Sequence, residues 1–273
     1  MSEQVPSSSV QATPLFDQAM ELWVRPEIAR RSATGTLPDG FRVERFQIVM
    51  HVDQPHQVRL NDEIRGLMQV RVNQAVQAGA QVHFDQIDDI VGFDVTKSDP
   101  NAGHLTALLV PRGNESHWAL FFDFRYNSHR VKETLEIANE FLFVAESALG
   151  TARIRATAEN LFTAFELGAK ALLLLLPDRR VLDARSHGTV GGLFNVFSRH
   201  GNVDTEITRG FRRASALRPG ARYSNRTFET NVEELTQLLS IAKRFLADVA
   251  LRNRRLPDEI GAPGARDQSE LDR

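Results

Sequence analysis

The chain has 273 residues, 42% of them hydrophobic and 25% charged, with a formal net charge of −2 and no cysteine. That length suits one large or two small domains with a real core. The absence of cysteine excludes a disulfide framework, a thiolate metal site and a cysteine nucleophile. The longest apolar run, Ala171–Leu176, is far short of the roughly 20 residues that a membrane span needs.

Residues 1–14 are rich in Ser, Gln and Pro and predict a flexible tail. The first twenty residues lack a basic start and an apolar stretch, so no signal peptide is expected and the expected location is cytoplasmic. Residues 15–127 predict a β-rich domain of unknown type behind one helix. Leu15, Met20, Leu22 and Trp23 open that helix, and Pro26 marks a kink or restart. A period of two follows. Phe46, Ile48 and Met50 alternate with Gln47 and Val49; Met68, Val70 and Val72 with Gln69 and Arg71; Val91, Phe93 and Val95 with Gly92, Asp94 and Thr96. The clearest strand pair is 104–110 with 117–125, joined by a loop over Pro111–Ser116. Core packing is the expected role of Trp118, Phe122 and Phe124 on one strand face and of Phe121 on the other. Together these strands predict a mainly antiparallel sheet, curled or sandwiched.

Residues 128–255 switch to helical spacing. Val131, Leu135, Ala138, Phe141, Leu142, Ala145 and Leu149 predict a helix ended by Gly150. Ile154, Ala158, Leu161, Phe162, Phe165, Ala169, Leu172, Leu173 and Leu176 predict a second, stopped by Pro177. A third holds Val190, Leu193, Phe194 and Phe197. A fourth covers 204–217, capped by Asp204 or Thr205 and stopped at Pro219-Gly220. The fifth begins at Phe228 and runs to Val249. Residues 256–273 predict a second tail. The fold class expected is therefore α+β: an N-terminal, mainly antiparallel β domain followed by a C-terminal five-helix bundle.

Charge divides along the same boundary. Residues 1–127 hold 11 basic and 16 acidic side chains, and residues 128–255 hold 20 basic and 14 acidic. A basic helical half attracts phosphates. Arg209, Arg212 and Arg213 share a face of the fourth helix by three-and-four spacing. Arg218, Arg222 and Arg226 follow around the Pro-Gly turn, with Tyr223, one of two tyrosines in the chain, among them. Arginine grips phosphate through a planar fork, so a nucleic-acid or nucleotide site is one reading of this cluster. A solvated face paired to Glu206, Glu229 and Glu233 is the other.

Further candidates are weaker. His51, Asp53 and His56, and His83 with Asp85, Asp88 and Asp89, lack the spacing of metal sites, so no metal is expected. Gly188, Gly191 and Gly192 have no preceding strand and do not make a phosphate loop. Glu166 and Lys170 are spaced for a helical ion pair; a buried Glu166 would instead orient an arginine of the site. Arg180 and His187 have motif-like spacing but lie before the third helix.

Three segments carry a resemblance. Asn160-Leu-Phe-Thr-Ala-Phe-Glu-Leu-Gly-Ala-Lys-Ala-Leu172, Ser186-His-Gly-Thr-Val-Gly-Gly-Leu-Phe194 and Ala216-Leu-Arg-Pro-Gly-Ala-Arg-Tyr223 resemble successive helical segments of the HEPN superfamily, over about residues 128–253. The resemblance implies metal-independent RNA cleavage in a homodimer, in a prokaryotic defence or toxin setting, with no cofactor. In that family an arginine is followed after four to six residues by a histidine. The arginine holds the scissile phosphate and the histidine handles the 2′-hydroxyl proton. Arg218 fits the arginine position, but Tyr223 stands where the histidine belongs, and a phenol is a poor proton shuttle near neutral pH.

The expectation is thus RNA or nucleotide binding centred on Arg218 and Tyr223, with Arg209, Arg212, Arg213, Arg222 and Arg226 as phosphate contacts and at most weak ribonuclease activity. In some relatives a tyrosine near this motif accepts a nucleotidyl group, a second role open to Tyr223. The alternative is an inactive dimerisation or protein-partner module whose β domain carries recognition.

Overall fold

The computed structural model describes residues 13–83, 86–94, 99–112, 115–184 and 186–254. The chain divides into two compact units between Phe124 and Arg125.

The first unit opens with α1 (Thr13–Ala19), a π-helical turn (Met20–Val24) and α2 (Arg25–Ala33). Pro26 sits in the first turn of α2. It has no N–H to donate backward, and the wide turn before it absorbs the lost bond, so the expected kink is a π-bulge. The strands are β1 (Arg45–Met50), β2 (Gln57–Leu60), β3 (Leu67–Val72), β4 (Ile87–Asp94), β5 (Gly103–Arg112) and β6 (Glu115–Asp123). They do not form one curled sheet. Among the described residues they split into a four-stranded antiparallel sheet, ordered β2-β1-β5-β6, and a separate antiparallel β3-β4 pair.

β1 is central and buried on both faces. Phe46 lies 5.8 Å from the Phe16 ring of α1 and 5.9 Å from Trp118 of β6. On the other face Gln47 is fully buried, donating to Thr106 Oγ1 and Arg65 O and accepting from Arg59 Nη1 at 2.9 Å. Alternation therefore separates two buried environments here, not core from solvent.

Two expectations for the hairpin are corrected. Pro111 pairs with Ser116 and Arg112 with Glu115, so most of the expected 111–116 loop is strand and the link is residues 113–114, outside the described residues. The aromatic face is also not uniformly core: Trp118 packs on Phe16 at 4.9 Å, whereas Phe122 and Phe124 stack at 5.6 Å while 62% and 45% exposed. They follow the same alternation but lie beyond the cover that α1 gives to Trp118. Of the third strand pattern, residues 95–96 lie outside the described residues.

The second unit contains α3 (Ser128–Gly150), α4 (Ile154–Leu174), α5 (Arg179–Leu182), α6 (His187–Arg199), α7 (Thr205–Arg222) and α8 (Val232–Asn253). The expected count of five helices is too low, because Arg179–Leu182 closes a further short helix capped by Asp178. Helix α4 is the centre. Thirteen of its residues are buried, and its glycine lets a neighbour approach closely: a Cβ at Gly168 would stand 2.8 Å from Phe245 Cε1 of α8. The entry to α3 caps the exit of α4. Tyr126 N donates to Leu175 O, and Asn127 Nδ2 donates to Leu174 O at 2.9 Å, satisfying two carbonyls that a helix end leaves open. Asn127 does so at φ 53, a left-handed conformation that asparagine tolerates.

The predicted stop at Pro219-Gly220 is not observed: α7 runs through both to Arg222. Proline removes one hydrogen bond near a helix end, where few remain to be lost. Gly220 serves packing instead. Its Cα faces the returning chain so closely that a Cβ would stand 2.2 Å from the Thr227 carbonyl oxygen. Phe228 correspondingly precedes the last helix, which begins after the Asn231 cap.

Two outcomes test these arrangements. Gly220→Ala must displace backbone, and is expected to cost about 1–3 kcal/mol in denaturant unfolding. In the first unit, hydrogen bonds from Arg30, then Arg31, hold the Glu27 carboxyl down to about 2 against the opposing effect of burial. A depressed carboxyl contributes stability above its unfolded value, and that stability is lost as pH falls from about 4.5 to about 2. Glu27→Gln is expected to flatten the pH dependence of the first unit's unfolding over that range.

Candidate functional site

Helix α4 presents three residues along one edge at i, i+3 and i+7: Glu159, Phe162 and Glu166. Glu166 is the one carboxylate among the buried described residues. A buried carboxylate is costly unless paired. Its partner is not Lys170, as spacing predicts, but His187, whose Nδ1 meets both carboxylate oxygens. His187 is the first residue of α6, fixed by the Ser186 cap whose Oγ accepts from Thr189 N at 3.2 Å.

The other ring nitrogen, Nε2, lies 3.0 Å from Arg218 Nη2 at the end of α7. A guanidinium can only donate. Nε2 is therefore the acceptor, and the ring proton sits on Nδ1, directed to Glu166. The Arg218 guanidinium lies over the Phe162 ring, 4.5 Å from its centroid, and Phe162 meets the imidazole edge-on at 5.9 Å. Arg218 Nε stands 3.6 Å from Glu159 Oε1, too far for a hydrogen bond. The same oxygen accepts from Arg222 Nε at 2.7 Å. That hydrogen bond and the charge of Glu159 raise the Arg222 guanidinium above its ordinary range, with smaller contributions from Tyr223 and Glu166.

Two buried polar atoms here have no partner: Arg218 Nε and Glu159 Oε2. Arg218 Nη1 makes no hydrogen bond among the described residues either. The site thus combines a guanidinium with unused donors, an imidazole oriented at both nitrogens and a carboxylate with a free oxygen. Such a set suits a phosphodiester, with the guanidinium taking the non-bridging oxygens.

The predicted residues are only partly brought together. Arg218 and Arg222 converge on Glu159. Tyr223 ends α7, 58% exposed, with its backbone N–H on Pro219 O and no hydrogen bond from its hydroxyl among the described residues. Arg212 turns toward α6, donating to Asn195 Oδ1 at 3.2 Å. Arg213 turns toward α8, paired with Glu234 at 2.6 Å, which lowers that carboxyl and raises the guanidinium. Arg209 and Arg226 are exposed. Arg180 is held by Asp178 at 2.7 Å, while His187 meets Arg218. Sequence reading missed Glu159 and the role of His187. The available signal was a pair of glutamates two turns apart flanking a phenylalanine on a helix with no other acidic residue.

A family model of the HEPN domain matches residues 131–253, nearly the whole described helical unit. No curated protein matches the chain.

Proposed function

We propose that this protein, whose residues 131–253 match a family model of the HEPN domain, binds the phosphodiester backbone of RNA at the Arg218 site, where α4, α6 and α7 meet. The observation that supports this best is the state of Arg218. It is held over the Phe162 ring by packing and by His187, while its Nη1 has no hydrogen-bond partner among the described residues. Glu159 pairs with Arg222 and stands 3.6 Å from Arg218, so a single carboxylate faces two guanidiniums and the cluster keeps a net positive charge that favours an anion. Exposed Arg209 and Arg226 extend the basic surface. Metal-independent cleavage in a prokaryotic defence or toxin setting is the activity that the family association adds, in the form of a weak ribonuclease. Tyr223, solvent-facing beside Arg222, suits contact with a nucleotide.

A second reading is a dimerisation or partner-binding module, with the β unit carrying recognition. The apolar residues that α3 leaves exposed favour it: Ile137 at 47%, Phe143 at 70% and Val144 at 47%.

Binding of single-stranded RNA is measured against salt for the wild type and Arg218→Ala, with chelator present. The variant is expected to lose about 10- to 100-fold in affinity, the magnitude of a charge-assisted hydrogen bond, and to show a salt slope shallower by about 0.7 per lost phosphate contact. Equal binding by both proteins refutes the site. For the second reading, Phe143→Glu is expected to convert a sedimenting dimer to monomer; a wild type that sediments as monomer counts against it.

A further inference from the structure

We propose that His187, not Tyr223, is the proton acceptor of this site, and that Glu166 positions it. The proposal rests on the reading above and assigns the proton acceptor and its positioning residue from the geometry of this chain. The nearest imidazole to Arg218 comes from the start of α6, 31 residues earlier in the chain.

A competent base needs access, an available lone pair and a fixed orientation. The His187 side chain is 58% exposed, so a ribose can reach it. Its lone pair is on Nε2, because the group that meets that nitrogen among the described residues is the Arg218 guanidinium, a donor. Its orientation is set from behind by Glu166, whose side chain is 12% exposed. The Tyr223 hydroxyl has no comparable hold.

At rest Arg218 occupies Nε2 at 3.0 Å. When a phosphate takes the guanidinium, that contact opens, and the nitrogen is left beside the sugar attached to the bound phosphate. Arrival of the anion thus uncovers the base at the place where the proton must leave.

The step balances. Nε2 takes the proton of the 2′-hydroxyl, and the 2′-oxygen forms a bond to phosphorus. The bond from phosphorus to the 5′-oxygen breaks, and that oxygen takes a proton from water. Arg218 carries the charge gathering on the non-bridging oxygens. Glu166 accepts the Nδ1–H throughout and stabilises the ring while it holds two protons. The products are a 2′,3′-cyclic phosphate and a 5′-hydroxyl. His187 then returns its proton to water.

The test uses the full chain with RNA and with the same RNA 2′-O-methylated, reading binding and cleavage separately in the presence of chelator. His187→Gln keeps an acceptor for Arg218 and lies at an exposed position; His187→Asn is made alongside it, and both are checked for native circular dichroism. Cleavage of RNA is expected to fall about 10²- to 10⁴-fold in both variants, beyond any change in their RNA affinity measured alongside, with no cleavage of methylated RNA by any protein. In ¹⁵N spectra, the imidazole signal lost in His187→Gln is expected to show a protonated Nδ1 in the wild type, and to change in Glu166→Gln, which cuts more slowly.

Cleavage by both His187 variants at the wild-type rate overturns the proposal. So does loss of cleavage in Tyr223→Phe with retention in His187→Gln. A wild type that binds RNA through Arg218 without cutting it also overturns the base assignment, while leaving the binding reading intact. Failure of Arg218-dependent binding removes both.

Discussion

Burial of a single carboxylate organises the second unit's site. Glu166 lies on α4 between residues that are almost wholly apolar, where an unpaired charge would cost several kcal/mol, on the order of the penalty for stranding an ion inside a protein. Its hydrogen bond to His187 Nδ1 removes that penalty and ties the start of α6 to the middle of α4. The consequence is directional. With Nδ1–H directed to Glu166, the neutral ring keeps its lone pair on Nε2, and the donor that reaches it belongs to α7. One buried charge thereby fixes a tautomer, a ring orientation and the meeting point of three helices.

The rest of α4 makes that arrangement rigid. Gly168 removes a side chain where Phe245 and Leu246 of α8 press in. Gly210 does the same for α7, where a Cβ would lie 3.1 Å from Phe165 Cζ. Phe165, Phe194, Phe211 and Phe245 fill the space between these crossings, with Phe194 and Phe211 only 4.8 Å apart. Close packing of this kind leaves few alternative rotamers, so the edge of α4 that carries Glu159, Phe162 and Glu166 is presented in one orientation. Below it, Gly220 lets the 227–228 segment lie against the end of α7, and Arg155 secures it by bonding the Gly220 carbonyl oxygen and covering the Phe228 ring at 4.8 Å.

Glu159 gives the site its resting balance. Two guanidiniums share one of its oxygens, Arg222 closely and Arg218 loosely. Such a carboxylate holds the two arginines near each other without saturating them, and its second oxygen has no hydrogen-bond partner among the described residues. Arg213 illustrates the contrast: its bidentate pairing with Glu234 leaves its fork committed to the fold.

Local chemistry wrote the elements plainly. Period-two alternation located β1, β3, β4, β5 and β6, and three-and-four spacing located the long helices, because both depend on neighbours a few residues apart. The Asp204 cap of α7 was legible for the same reason. Proline and glycine misled at 219–220, since a helix end and a packing contact use the same residue types, and Phe122 and Phe124 misled because alternation does not say where a sheet's cover ends. The six arginines were visible as a cluster, but their partners lay on other helices, and those partners separate Arg212 and Arg213 from Arg218 and Arg222. What the amino-acid order alone determined was the two-part architecture, the basic helical half and the cluster of arginines around the end of α7. Only the tertiary structure decided which group stands beside that arginine, because a side chain 31 positions away becomes a neighbour through helix packing, which no spacing rule along the chain contains.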